Sequence, residues 1–287
     1  MKRFISVVLL CFILLYACKQ SDTKEVKRDG VVLNCQIEGS GDTTLLFVHG
    51  SYIDQSYWKA QADHFSRNYT VVTLDLAGHG KSGRERTDWS IPGFAEDVIE
   101  VIKELDLENV VLIGHSLGAG VNLIAATSYP KPIIGFIGIE FFKNAGTAMG
   151  GESQQQALSL QESLVNDFAN TNEKYARMVL LTKKTPSKIS DKIVKAYRTA
   201  YQPMGIETTP EIFEFFKTEQ RLLPKLPFKL FLINVDYTPT NEGALKKYAS
   251  HGYELFHLKG TSHFPMLEDP EILNDLLQEA IKKIATR

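Results

Sequence analysis

The chain has almost nothing with which to cross-link itself. Of its 287 residues only Cys11, Cys18 and Cys35 are cysteines. The first two lie in or at the end of an N-terminal apolar run, so Cys35 has no partner for an intrachain disulfide in the rest of the chain. Its strand-like surroundings mark it as a small buried or half-buried residue rather than a nucleophile. The longest apolar run, Phe4 to Tyr16, falls short of the about 20 residues of a membrane span. A formal net charge of −2 gives no basic surface for nucleic acid. Internal repeats and low-complexity tracts are lacking. So are a phosphate-cradling glycine loop, a dinucleotide fingerprint and clustered His/Cys/Asp spacings. No cofactor and no metal is therefore expected.

What is present is a globular composition, 44% hydrophobic with mixed charges. The length fits one α/β domain with an insertion better than two independent domains. The N-terminus stands apart. Met1–Lys2–Arg3 is basic, the apolar run follows, and Leu15–Tyr16–Ala17–Cys18 leads into polar residues. Residues 1–17 read as an export signal peptide. The Leu-x-Ala-Cys ending resembles a bacterial lipoprotein lipobox. That resemblance implies cleavage before Cys18, lipidation of Cys18 and membrane anchoring in the cell envelope. The alternatives are an ordinary secretory signal cut nearby or an uncleaved anchor. Residues 18–28, charged and polar, are expected to form a tether, and 29–287 the folded domain.

Within that domain the apolar runs Val31–Glu38, Thr44–Val48, Tyr69–Leu74, Val110–Ile113, Ile133–Ile139, Phe228–Val235 and Tyr253–Leu258 predict strands. Helical patterns alternate with them. Phe94, Val98, Val101, Ile102 and Leu105 fall on one helix face, and Asp269–Pro270 caps a last helix carrying Leu273 and Leu277. This alternation predicts a mostly parallel, doubly wound sheet. It breaks between about 141 and 227, where only helical stretches occur, roughly 152–169, 172–182, 188–201 and 210–222. Thr209–Pro210 supplies an N-cap and first-turn proline for the last of these. The interval reads as a helical lid inserted over the carboxyl edge of the sheet.

The chemistry concentrates at Gly114–His115–Ser116–Leu117–Gly118. A buried strand runs into Gly-x-Ser-x-Gly, and an apolar helical pattern follows. The flanking glycines permit a sharp turn that lifts Ser116 to a helix N-terminus. The bland alternative is a serine that merely caps the helix. Around it in the chain stand His49–Gly50–Ser51 after an early strand and Asp75–Leu76–Ala77–Gly78–His79–Gly80–Lys81–Ser82 before it, then Asp236 after a late strand and His263 on the last loop.

In that order the motifs resemble the α/β-hydrolase superfamily over about residues 30–285. The resemblance implies an α/β-hydrolase fold and a serine hydrolase acting on an ester or related activated acyl substrate. Ser116 would be the nucleophile, His263 the base, and the backbone N–H groups of Ser51 and Leu117 the oxyanion hole. The acid is expected to be Asp236, with Glu140 at the end of Ile133–Ile139 as the competitor. A serine at the elbow disfavours haloalkane dehalogenase and epoxide hydrolase chemistry, whose members of the superfamily use a carboxylate there. Carbon–carbon hydrolysis of dienoic keto acids, perhydrolysis, and a non-catalytic ligand sensor on the same fold remain as alternatives. A small acyl compound is the expected partner, with no nucleic acid.

Overall fold

A computed structural model describes residues 21–286. Residues 1–17, expected to be an export signal, and Cys18 lie outside the described residues. Eight strands form one sheet: β1 (Asp22–Arg28), β2 (Val31–Glu38), β3 (Thr44–Val48), β4 (Thr70–Leu74), β5 (Val110–His115), β6 (Ile133–Ile139), β7 (Leu230–Val235) and β8 (Tyr253–Leu258). Their spatial order is β1-β2-β4-β3-β5-β6-β7-β8. Strands β3 to β8 are mutually parallel, while β2 is antiparallel to both its neighbours, β1 and β4. This is the mostly parallel, doubly wound sheet that the alternation of runs predicts.

Both faces are covered, as a parallel sheet requires. Side chains of β3 alternate between them. Leu46 and Val48 pack with Phe94, Val98 and Ile102 of α2 (Ile91–Glu104) and with α3 (Leu117–Ser128). Leu45 and Phe47 pack with Trp58, with Phe65 of α1 (Lys59–Phe65), and with Leu273 and Leu277 of the last helix (Pro270–Ala285). The Asp269 side chain caps that helix by accepting the Ile272 N–H. Cys35 is buried, and burial, with Asp75 nearby, pushes its thiol up to about 12. At neutral pH it stays an inert thiol.

The sequence reading is corrected in two places. Residues 22–28 are not a tether but edge strand β1, paired along its whole length with β2. Only Val26 of this strand is buried, so its signal is one apolar residue among charges. Its last residue, Arg28, donates to the buried Asp97 carboxylate of α2 at 2.8 Å, and Arg86 donates to the same group at 2.7 Å. Burial pushes the Asp97 carboxyl up against the pull of Arg86 and Arg28. The second correction concerns Thr209–Pro210, which does not start a helix. Helix α7 (Gln202–Glu214) begins a full two turns earlier, with Pro203 in its first turn and Pro210 inside it. The hydroxyls of Thr208 and Thr209 donate to the carbonyls of Met204 and Gly205, one turn back.

Helices α4 (Gly151–Asn166), α5 (Phe168–Tyr175), α6 (Ser187–Arg198), α7 and α8 (Phe216–Leu222) fill the interval between β6 and β7. A π-turn, Ala176–Leu180, follows α5. The insertion is fastened to the β6 exit by Glu219 of α8, whose carboxylate accepts the Gly146 N–H at 2.6 Å. Burial pushes the Glu219 carboxyl from its ordinary 4.5 up to about 7. An acid that keeps its proton longer folded than unfolded destabilises the fold as pH rises from about 4.5 to about 7, and the loss then levels off. Glu219→Gln, which retains an acceptor for Gly146, is therefore expected to raise stability at pH 8 by about 2–3 kcal/mol. At pH 4.5 the gain should vanish; urea unfolding at the two pH values measures both, and equal gains would refute the burial argument.

Candidate active site

Ser116 sits between β5 and α3 with φ +50° and ψ −123°. A non-glycine residue holds this backbone only where its surroundings enforce it. Gly114 and Gly118 provide the enforcement. A Cβ on Gly114 would stand 2.5 Å from the Gly118 carbonyl oxygen, and one on Gly118 would stand 2.3 Å from the Val48 carbonyl oxygen. The Ser116 N–H donates to the Ile139 carbonyl at 2.9 Å, tying the elbow to the end of β6.

The loop after β3 meets the elbow from the side. A Cβ on Gly50 would lie 2.8 Å from His115 Nδ1 and 3.0 Å from Ser116 Cβ. Only glycine allows the next residue, Ser51, so close to Ser116. His49 holds this loop: its Nε2 accepts the Leu76 N–H at 3.0 Å, and its Nδ1 lies 2.8 Å from the Gly50 carbonyl oxygen. Burial lowers the proton affinity of His49, so it serves as a neutral strut. The Asp75 carboxylate braces the adjoining loop, accepting the backbone N–H groups of Gln55 at 2.8 Å and Lys81 at 2.9 Å.

His263 follows β8. Its carbonyl oxygen lies 2.8 Å from His115 Nε2, and its N–H donates to the Leu180 carbonyl at 3.1 Å. The inserted π-turn thus touches the histidine loop directly. His263 Nδ1 lies 3.1 Å from Glu140 Oε2. Asp236, the acid preferred on sequence, is not at this histidine. It is partly exposed, and its carboxylate pairs with His257 at 2.9 Å. The structure brings Ser116, His263 and Glu140 to one cavity and leaves Asp236 at the end of β7, beside His257 of β8.

The reason is the order of the strands. Strand β6 lies next to β5, which carries the elbow, whereas β7 is one strand further out. Glu140, with φ +54°, turns its long side chain inward where β6 stops. Its Oε1 takes the Val235 N–H and a salt bridge from Lys143 at 3.0 Å, leaving Oε2 for His263. Burial alone would raise this carboxyl, but the His263 bond and charge, Lys143 and the Val235 N–H outweigh it and hold it below the ordinary carboxylate range. Lys143 also donates to the Val235 and Thr238 carbonyls. Sequence reasoning missed this lysine, although its i+3 spacing from Glu140 was visible. It also missed Tyr237, whose hydroxyl is 3.4 Å from His263 Nδ1.

Ser51, Ser116, Glu140 and His263 line one cavity of about 180 Å³ under the insertion. Leu117, whose N–H follows Ser116, is buried at the start of α3. Among the described residues no group of three or more His, Cys, Asp or Glu could hold a metal ion. No described helix is long and apolar enough to cross a membrane. The arrangement offers a strained serine, an imidazole oriented by a buried carboxylate, and backbone donors beside them. Those are the parts of an acyl-transfer site.

A family model described as "Alpha/beta hydrolase family" matches residues 45–276. A 2-(acetamidomethylene)succinate hydrolase from Mesorhizobium japonicum is 27% identical over 175 residues, 61% of this chain and 60% of that protein. The chain spans between 28% and 60% of the length of the curated relatives it matches. A thermophilic esterase from Thermogutta terrifontis shares the fold with TM-score 0.76 and 18% identity, over 92% of this chain and 99% of that one. Epoxide Hydrolase A from Mycobacterium thermoresistibile does so with TM-score 0.74 and 17% identity, over 92% and 98%. At such identities the two structures share the architecture, and the site must decide the chemistry.

Proposed function

We propose that this chain, which belongs to the alpha/beta hydrolase family, is a serine hydrolase of ester or similarly activated acyl substrates. The observation that carries the reading is the His263–Glu140 pair at 3.1 Å in the cavity that Ser116 also lines. Ser116 Oγ attacks the substrate carbonyl carbon, and its proton passes to His263 Nε2. The carbonyl π electrons move onto oxygen, and the backbone N–H groups of Ser51 and Leu117 stabilise the oxyanion. Collapse of the tetrahedral adduct expels the leaving group, which takes the proton from His263. Water then repeats the sequence on the acyl-enzyme and releases the acid. Throughout, Glu140 holds the imidazole in one tautomer and stabilises its charged form.

The serine itself argues for ester rather than epoxide hydrolysis, because the elbow here carries no carboxylate. A fluorophosphonate probe tests the reading. Labelling is expected on the wild-type chain and absent from Ser116→Ala. Folded wild-type protein that takes no label would overturn the proposal.

A further inference from the structure

The catalytic cavity is small, yet it continues outward. Leu160, Tyr175 and Phe213 line both it and a second hollow of about 510 Å³. That hollow is a groove running between α4 and the π-turn, and Gln156, Met178 and Val179 also line it. Two exposed large hydrophobic side chains line it: Met178 is 82% exposed and Val179 about half exposed. Soluble surfaces rarely concentrate apolar side chains without a ligand to cover them. The groove has one charged lining residue, Lys174. An approach from the other side, beside Lys143, Asn144 and Thr147, is smaller, about 260 Å³, and carries the Glu140 and Glu219 carboxylates.

We propose that the groove between α4 and the π-turn receives an uncharged aliphatic arm of the substrate, so that the enzyme prefers esters of medium-chain acids over acetate. The inference rests on the serine-hydrolase reading. A cavity of about 180 Å³ accommodates the reacting carbonyl and a few carbons. A longer chain must leave it, and the apolar exit is past Leu160 and Phe213. Each methylene that passes from water into an apolar groove is worth about a factor of four in kcat/KM. The π-turn that forms one wall also supplies the Leu180 carbonyl to the His263 N–H, so the groove's position is fixed relative to the base.

The test is hydrolysis of p-nitrophenyl acetate, butyrate and octanoate. Wild type is expected to favour octanoate over acetate in kcat/KM by at least about tenfold. Gln156→Trp fills the groove and Met178→Glu places a charge in it. Both residues are exposed, so neither change threatens the core. Each variant is expected to lose most of the octanoate preference while acetate turnover stays within about twofold. An unchanged octanoate-to-acetate ratio in both variants would overturn the proposal, as would loss of the ratio in Thr147→Trp alone. The underlying reading fails differently: the wild type then turns over none of the esters and takes no fluorophosphonate.

Discussion

Glu140→Gln is expected to lower kcat by about 10³–10⁴-fold, while Asp236→Asn should leave it within about threefold. A glutamine at 140 keeps the side chain's length and can still accept from Val235, so the β6 exit survives. It removes the negative charge that faces His263 Nδ1 at 3.1 Å. The imidazolium formed when Ser116 attacks then has no counter-charge, and the glutamine amide can favour the wrong tautomer. Asp236 pairs with exposed His257, away from the cavity. Steady-state kinetics on both variants with one ester, beside fluorophosphonate labelling rates, measures the difference. A larger loss in Asp236→Asn would return the acid to the β7 position.

The second large effect concerns stability. Asp97→Ala is expected to cost about 3–5 kcal/mol. Asp97 is fully buried and Arg86 nearly so, and Arg28 completes the cluster. Without the carboxylate a buried guanidinium keeps its desolvation penalty and loses its compensation. Edge strand β1 also loses its anchor at Arg28. Urea midpoints at constant slope would show the loss, and a cost below about 1 kcal/mol would mean that solvent reaches Arg86 in the variant. Removing charge from both sides, as in Asp97→Leu with Arg86→Met, should recover part of it.

The core of the fold was legible because its signals are strong and local. Runs such as Thr44–Val48 and Ile133–Ile139 are buried at nearly every position and coincide with strands. The elbow was legible because two glycines and a serine leave the chain few conformations. Strand β1 was not, since its pairing partner, rather than its own composition, makes it a strand. The start of α7 was missed because Pro203 and Pro210 both fit a first helical turn, and the hydroxyls of Thr208 and Thr209 support the turn before Pro210. The placement of Asp236 was misread for a different reason. Asp236 and Glu140 both end buried strands, and only the spatial order of β5, β6 and β7 decides which one faces His263. Lys143, which fixes Glu140, joins two strand exits far apart in sequence, a relation no local pattern records.

Among the described residues seven non-glycine residues have a left-handed backbone; three of them, Tyr52, Ser116 and Glu140, line the cavity of the candidate active site, and Phe142 lies two residues beyond Glu140. Each such residue costs on the order of 1–2 kcal/mol relative to a relaxed backbone, a cost that the close-packed sheet beneath it offsets. Asp29, Asp106 and Asn109 sit in turns, where Asp and Asn tolerate this backbone, so the costlier positions are gathered at the carboxyl ends of β3, β5 and β6. Heating or a loosened neighbour is therefore expected to act first on the candidate site and only later on its frame, so that any activity should be lost before the fold.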